Sequence, residues 1–298
     1  MLHQFMSAIA GGPTGMRPRL IRSFLRVLIL VCVAFLAGVA FLYFRQHSML
    51  YHPRPYDAAY AQAWPQDGVE LNFRTGAGKQ VAFYLARGGG ARLPDHIWVA
   101  FCGNGSLALD WTWLIVQDRD PGDSFLLIDY PGYGKSEGYA TIGSTRVAAD
   151  KALETLAVHL GVPEIEIESR LNTLGHSWGT AVALDFATRH PVQRIVLISV
   201  FTTLREEAAL VVGGLLSHFL VENYDNRACL RELSRRPSPP RVIIFHGTND
   251  DIIPVRMSRE LADRFPAFVT FHPVAGGDHI SVIGKAASEI VAALTVTN

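Results

Sequence analysis

The sequence predicts an α/β protein: a mostly parallel, eight-stranded sheet with helices on both faces, preceded by a transmembrane helix. Three observations lead to this prediction. Short apolar segments bounded by Gly, Pro, Asn or Asp alternate with longer segments of helical spacing. One uninterrupted apolar run lies near the N-terminus. The chain also has 298 residues, of which 49% are hydrophobic and 18% charged, which is enough for one large core.

Charge and cysteine content exclude several classes of protein. The 27 basic and 27 acidic residues balance to zero net charge, so nothing in the charge favours nucleic acid as a partner. The three cysteines, Cys32, Cys102 and Cys229, form neither a disulfide framework nor a cluster with metal-ligand spacing. We therefore expect neither a metal nor another cofactor.

Residues 27–44 form the predicted membrane anchor, which reads VLILVCVAFLAGVAFLYF and carries no charge. As a helix it would be about 27 Å long, close to the roughly 30 Å of a bilayer's hydrocarbon core. Four arginines lie among residues 17–26, so the positive-inside rule places the segment of residues 1–26 in the cytoplasm. The domain of residues 49–298 is then expected on the opposite side of the membrane.

Two other interpretations of the apolar segment stay open. The small residues Gly38, Val39 and Ala40 resemble the cleavage site of a signal peptide, and a helix buried in a protein core is also apolar. The run continues past Ala40 as FLYF and has no polar face, which favours an uncleaved anchor.

Strands and helices alternate along the remaining chain, and the first two strands are predicted to form a hairpin. The predicted strands cover residues 69–74, 80–87, 96–101, 124–129, 171–174, 194–199, 241–246 and 268–273. Helical spacing is clearest over residues 143–160 and 180–190. Continuous apolar strands that alternate with helices form parallel sheets covered on both faces, which is the fold stated above.

Residues 201–233 interrupt this alternation with a long stretch of mixed composition between two strands. Long insertions in compact domains are often lids, so the segment is a candidate helical cap over the sheet edge that carries the chemistry. A single long crossover helix explains the same stretch equally well, and the sequence does not decide between the two.

The element Gly175-His176-Ser177-Trp178-Gly179 is the strongest chemical signal in the chain. A G-x-S-x-G sequence by itself arises by chance. Here it follows a predicted strand and precedes a predicted helix, which is the sharp turn that exposes a nucleophilic serine. Ser177 is therefore the candidate nucleophile.

A serine hydroxyl needs a base, and proteins with such a turn place the acid and then the histidine after the serine in the chain. His279 follows the last predicted strand and is the preferred base. His246 is a rival at the end of another strand. His176, beside the serine, is expected to pack or form a hydrogen bond, and His272 lies within a strand and is expected to be structural.

The acid is less certain than the base. Asp250 and Asp251 both follow the strand that ends near His246, where ligand sites of parallel sheets lie. Asp278 is a weaker third candidate. Spacing slightly favours Asp250 but leaves it nearly tied with Asp251.

Two backbone N–H groups are expected to form an oxyanion hole. One belongs to Trp178, the residue after the nucleophile, and the other to Asn104 in the glycine-rich loop after the strand of residues 96–101. Cys102 in the same loop is a conceivable thiol nucleophile. No base lies near it in the sequence, so we expect no such role.

Several motifs occur in an order that resembles the α/β-hydrolase superfamily, and in particular its membrane-anchored α/β-hydrolase-domain serine hydrolases. These motifs are MLYHPRP after the apolar run, FCGNGS, DYPGYGKSEG, GHSWG, HGTNDDIIP and GGDH. The family includes lipid esterases and protein depalmitoylases. In its version of the HGTNDDIIP motif the acid stands four residues before the proline, and this resemblance implies Asp250.

This chain departs from the family in two places. The family often has histidine where this chain has Cys102, and depalmitoylating members commonly carry a cysteine-rich N-terminus, which is absent here. We therefore expect a carboxylic-ester hydrolase that cleaves small-molecule or lipid acyl esters near a membrane. The alternatives are a thioesterase or peptidase with the same residues, or a non-catalytic binding protein on this fold.

Overall fold

The computed structural model describes residues 18–58, 60, 64–88 and 93–295, with side chains from residue 21 onward. The chain divides into two compact units, one ending at Gln46 and the other beginning at His47. Helix α1 (Pro18–Leu50) makes up the described part of the first unit, and its last turn belongs to the second.

Helix α1 is long and apolar enough to cross a membrane over Ile21–Leu50. Its apolar side chains are mostly exposed: Val27 is 60%, Leu30 68% and Leu36 64% accessible. A core helix would bury such side chains, so the core-helix interpretation is wrong. A membrane anchor and a signal sequence both fit an exposed apolar helix near the N-terminus.

The second unit contains the predicted sheet, which has eight strands in the order β1-β2-β4-β3-β5-β6-β7-β8. Strands β1, β2 and β4 pair antiparallel, and every other neighbouring pair is parallel. The prediction of a mostly parallel, eight-stranded sheet is confirmed. The strands are β1 (Val69–Thr75), β2 (Gly78–Ala86), β3 (His96–Phe101), β4 (Asp123–Ile128), β5 (Leu171–His176), β6 (Arg194–Ile198), β7 (Arg241–Gly247) and β8 (Val269–Val274).

Helices and buried side chains cover both faces of the sheet, as apolar strands require. The helix of Ile142–Leu160 is capped at both ends. Thr141 precedes it and its side chain accepts a hydrogen bond from the Ser144 N–H, and Gly161, which follows it, has a φ of +68°. After a 3₁₀ turn at Ala108–Trp111 the helices are α2 (Thr112–Ile115), α3 (Ile142–Leu160), α4 (Glu164–Glu168), α5 (Trp178–Arg189), α6 (Leu204–Val212), α7 (Gly214–Ser217), α8 (Asn226–Leu233), α9 (Val255–Arg264), α10 (Ser281–Lys285) and α11 (Ala287–Leu294).

Residues 201–233 fold into α6, α7 and α8 rather than into one long crossover helix. Helix α8 packs against α5 and so belongs to the helical layer of the sheet. Helices α6 and α7 are less buried and expose Leu210, Val211 and Leu215. A helical cap formed by residues 201–233 stays a prediction.

Two buried carboxyl groups face each other at the amino end of β4. Asp123, the first residue of that strand, is fully buried, and Asp118 is 1% exposed. Burial, together with the nearby Asp118 and Asp120 carboxylates, raises the pKa of Asp123, and burial also raises the pKa of Asp118. The pair therefore holds a proton in the folded state at pH values where an exposed aspartate is ionised.

Asp123→Asn is expected to stabilise the protein at alkaline pH. The folded-state pKa lies above the unfolded value, so the stability that protonated Asp123 contributes is lost as pH rises from about 4 towards 8. The neutral amide avoids this loss. We expect the free energy of unfolding to rise by about 1–3 kcal/mol at pH 8 and to change little near pH 4.

Thermal unfolding of the detergent-solubilised full chain at the two pH values measures this difference. Asp67→Asn, at an exposed position, is the matched control and should leave both melting temperatures unchanged. Equal effects of Asp123→Asn at pH 4 and pH 8 would contradict a raised pKa of Asp123 in the folded state.

Candidate active site

One residue, Ser177, connects β5 to α5. Its backbone has φ +53° and ψ −121°, a region that residues with a side chain rarely adopt. The Ser177 N–H donates to the Ile198 carbonyl at 2.8 Å, which ties the turn to the end of β6. The strand therefore ends in a strained turn that presents the serine hydroxyl at the carboxyl edge of the sheet.

The two glycines of G-x-S-x-G are needed because backbones approach closely on both sides of Ser177. A Cβ on Gly175 would lie 2.4 Å from the Gly179 carbonyl oxygen. A Cβ on Gly179 would lie 2.2 Å from the carbonyl oxygen of Phe101, at the end of β3. Since real Cβ atoms do not come this close to backbone oxygens, only glycine fits at either position.

Ser177, His279 and Asp250 lie in one hydrogen-bonded line, and all three are buried. His279 Nε2 lies 2.9 Å from Ser177 Oγ, and His279 Nδ1 lies 2.8 Å from Asp250 Oδ2. Because a carboxylate only accepts, Nδ1 carries the proton, and Nε2 is free to accept the serine hydroxyl proton. The three side chains come from separate loops that follow β5, β7 and β8.

Asp250, rather than Asp251 or Asp278, is the acid that reaches His279. Burial raises the pKa of Asp250, but hydrogen bonds from two histidines and from backbone N–H groups outweigh burial and hold that pKa well below its usual range. Asp251 is exposed. The Asp278 carboxylate instead accepts hydrogen bonds from the backbone N–H groups of Ile280 and Ser281.

The other candidate histidines have different partners. His176 Nε2 donates to the His279 carbonyl at 3.0 Å, and burial lowers the pKa of His176 to about 4, which keeps this ring neutral. His272 lies in β8 and stacks on the ring of Phe245. His246 is fully buried. Its Nδ1 lies 2.6 Å from Ser258 Oγ, and its Nε2 lies 2.8 Å from the Ile253 carbonyl oxygen.

The loop after β3 lies beside the serine. A Cβ on Gly103 would be 3.7 Å from Ser177 Cβ, in ordinary contact. Asn104 is held on both sides: its carbonyl accepts from the His52 N–H at 3.0 Å and from the Tyr133 hydroxyl at 2.5 Å, and its side chain donates to the Leu50 carbonyl. The backbone of this loop is thereby fixed next to Ser177.

Trp178 begins α5, so its N–H belongs to the first helical turn, where N–H groups have no acceptor within the helix. This N–H and the Asn104 loop therefore flank Ser177 on two sides. The positive end of the α5 dipole lies at the same point and favours negative charge there.

Cys102 is buried and donates a hydrogen bond to the Leu107 carbonyl. Burial raises the pKa of the Cys102 thiol well above its ordinary value, so the nucleophilic thiolate is disfavoured. Cys32, Cys102 and Cys229 are all unpaired. Within the described ranges, no group of three or more His, Cys, Asp or Glu side chains is arranged to hold a metal ion.

Tyr51 and Glu222 are site neighbours that the sequence did not reveal. The Tyr51 ring packs edge-on against Trp178, with ring centroids 4.9 Å apart. Its hydroxyl donates to Glu222 at 2.7 Å, and the other Glu222 oxygen accepts from the Ile142 N–H at 2.9 Å. The segment just after α1 is therefore fastened to the segment between α7 and α8.

A cleft of about 810 Å³ opens near the Gly103 loop, lined by apolar side chains and by the acidic Asp57 and Asp110. Its apolar walls come from Leu109, Trp113, Val116, Ile280 and Ile283. The cleft also touches His176 and Ser106, which border the Gly103 loop next to Ser177. A cleft of this size can hold a small molecule.

Comparison with known sequences finds distant relatives. The chain matches no model of a known protein family. It is 26% identical over 240 residues to Rv2307c, an uncharacterized protein of Mycobacterium tuberculosis, and this match covers 80% of this chain and 81% of that protein.

Two solved structures illustrate the likeness of the fold. The esterase Pf2001 of Pyrococcus furiosus superposes with a TM-score of 0.60 at 14% identity, covering 82% of this chain and 97% of that one. The thioesterase domain from the curacin biosynthetic pathway superposes with a TM-score of 0.54 at 10% identity, covering 76% and 99%. At such low identity, the likeness concerns the arrangement of helices and strands.

Gly179→Ala is expected to destabilise the protein severely, because its Cβ would collide with the backbone at the end of β3. We expect a loss of about 3 kcal/mol or more, or insoluble protein. Gly143→Ala, in the first turn of α3, is the matched control. A Cβ there meets nothing closer than 3.8 Å, so alanine should be neutral or slightly stabilising.

Thermal unfolding of the two variants in the same detergent measures the contrast. A Gly179→Ala protein that unfolds at the wild-type temperature would contradict the close approach between α5 and β3.

Proposed function

We propose, on the premise that this chain has the α/β-hydrolase fold, that it is a serine hydrolase that cleaves carboxylic esters with Ser177, His279 and Asp250. The observation that carries the proposal is the hydrogen-bonded line from Ser177 Oγ through both ring nitrogens of His279 to Asp250 Oδ2, at 2.9 and 2.8 Å. A protein that only binds ligands on this fold does not require a serine in a strained conformation aligned with a base.

In the first half of the reaction, Ser177 Oγ attacks the carbonyl carbon of the ester while its proton passes to His279 Nε2. Asp250, ionised and hydrogen-bonded to Nδ1, stabilises the imidazolium that forms. The backbone N–H groups of Asn104 and Trp178 are the proposed donors to the developing oxyanion. His279 then protonates the leaving alcohol, and the acyl group remains on Ser177.

In the second half, a water molecule takes the place of the alcohol. His279 accepts a proton from this water as its oxygen attacks the acyl carbon, and then returns that proton to Ser177 Oγ as the acid leaves. Neither half needs a metal or another cofactor.

The proposed substrate class is an acyl or lipid-like ester. The cleft near the Gly103 loop, with Trp113 and Ile280 in its walls, supports an apolar substrate. The long apolar α1 helix supports a location at a membrane, where such esters concentrate. The similarity to a thioesterase domain supports thioesters as a second substrate class, because the same residues attack either carbonyl.

We further propose that α1 is an uncleaved anchor with a cytoplasmic N-terminus, which places the hydrolase unit on the opposite side of the membrane.

Ser177 is expected to react with a fluorophosphonate probe, and Ser177→Ala should abolish labelling and lower ester hydrolysis by about 10⁴-fold or more. Asp250→Asn should lower hydrolysis by about 10²- to 10⁴-fold, because the imidazole loses the carboxylate that orients it and stabilises its charge. Asp251→Asn is the matched control and should leave the rate unchanged, since that side chain is exposed.

Gel fluorescence of the labelled full chain in detergent measures the first result, and p-nitrophenyl esters measure the others. Wild-type protein that stays unlabelled while a known serine hydrolase reacts in parallel would overturn the proposal. Matched panels of esters, thioesters and amides with increasing acyl length then separate the substrate classes.

The topology has its own test. Alkaline phosphatase fused after Asn298 should be active in a bacterial host and β-galactosidase fused at the same site should not, because only the former folds outside the cytoplasm. The reverse result would overturn the proposed orientation, and loss of about 40 residues in the mature protein would identify a signal peptide instead.

A further inference from the structure

A second histidine contacts the acid of the proposed triad. His246, at the end of β7, is fully buried, and its Nε2 lies 3.1 Å from Asp250 Oδ2 and 2.8 Å from the Ile253 carbonyl oxygen. Its Nδ1 lies 2.6 Å from Ser258 Oγ. Ser258 Oγ also lies 3.1 Å from the Val200 carbonyl oxygen.

These neighbours determine where His246 carries a proton. A carboxylate and a carbonyl oxygen both only accept, so Nε2 must be the protonated nitrogen that donates to them. If the Ser258 hydroxyl donates to Nδ1, the ring is neutral with its proton on Nε2; if it donates to Val200, Nδ1 donates to Ser258 Oγ and both ring nitrogens carry protons. In both arrangements Nε2 is protonated, donates to the Ile253 carbonyl at 2.8 Å and lies 3.1 Å from Asp250 Oδ2.

Asp250 is fully hydrogen-bonded as a result. Its Oδ1 accepts from the backbone N–H groups of Ile252 and Ile253 at 3.0 and 2.8 Å. Its Oδ2 lies 2.8 Å from His279 Nδ1 and 3.1 Å from His246 Nε2. Oδ2 is therefore hydrogen-bonded to His279 and also lies in close contact with the Nε2–H of His246.

We propose that His246 is a positioning residue: it holds Asp250 Oδ2 in line with His279 Nδ1 and limits how strongly the carboxylate attracts a protonated His279. This inference rests on the proposed function. A carboxylate that loses one hydrogen-bond donor concentrates more charge on the remaining contact. Without His246, the imidazolium of His279 is therefore held more tightly, and the base stays protonated to higher pH.

The other groups around His279 do not provide this effect. The His176 ring lies with its centroid 5.1 Å away and is kept neutral by burial. Glu207 of α6 interacts with His279 electrostatically, and burial raises the pKa of Glu207. Ser177 carries no charge. Asp250 is the ionised group in direct contact, and His246 acts on it.

The test is the rate of fluorophosphonate labelling of the detergent-solubilised full chain between pH 4.5 and 9. This rate reports the base without requiring the natural substrate. His246→Leu removes the donor, and we expect the midpoint of the acidic limb to rise by about half a pH unit or more, with about a tenfold lower plateau rate. His246→Gln keeps an N–H near the position of Nε2 and should restore the midpoint and most of the rate.

His190→Leu is the matched control. His190 is also buried and also contacts a carboxylate, Asp150, at 3.0 Å, but it lies at the far end of α5, about 18 Å along the helix from Ser177. This variant should leave the midpoint unchanged. An equal shift in His190→Leu, or an unshifted midpoint in His246→Leu with only a lower plateau, would overturn the positioning role.

Two further outcomes are decisive. If His246→Leu does not fold, ¹⁵N NMR of wild-type histidines still tests the proton position, and an Nδ1–H rather than an Nε2–H on His246 overturns the inference. If wild-type Ser177 is not labelled at all, the proposed function fails and takes this inference with it. Normal labelling with an unshifted midpoint defeats the inference alone.

Discussion

Between β5 and α5 the chain changes from strand to helix at one residue, and the backbones at the ends of the two neighbouring strands hold it there. The Ser177 N–H is bonded to the end of β6, and Gly179 lies against the end of β3 with no room for a side chain. The unfavourable φ of +53° persists because the packed strands on both sides leave no other path. The position of the serine, the start of α5 and the proximity of the Asn104 loop all follow from this turn.

Much of the fold can be predicted from the sequence because parallel strands are buried on both faces. Strands such as β3 and β7 are nearly continuous apolar runs, and their predicted bounds agree with the observed ones to within one residue. Residues 201–233 could not be predicted in the same way. Leu210, Val211 and Leu215 point outward, so the apolar spacing of this segment does not mark a face that packs on the core.

The candidate active site can be predicted from the sequence only in part, for two reasons. Asp250 and Asp251 have the same chemistry and adjacent positions, and the backbone turn that brings the Ile252 and Ile253 N–H groups to one carboxylate determines which of them faces inward. Contacts such as Tyr51 with Glu222 join residues far apart in the chain, and they leave no local pattern in the sequence. The order of the motifs indicates which loops converge, whereas the individual hydrogen bonds depend on how those loops turn.

The residues at the end of α1 and directly after it support the Asn104 loop. The Leu50 carbonyl and the His52 N–H both bind Asn104, and Tyr51 packs on Trp178. Proteolysis between Tyr51 and β1 would separate these supports from the Asn104 loop and leave the strands uncut. A cut upstream of His47 would keep them.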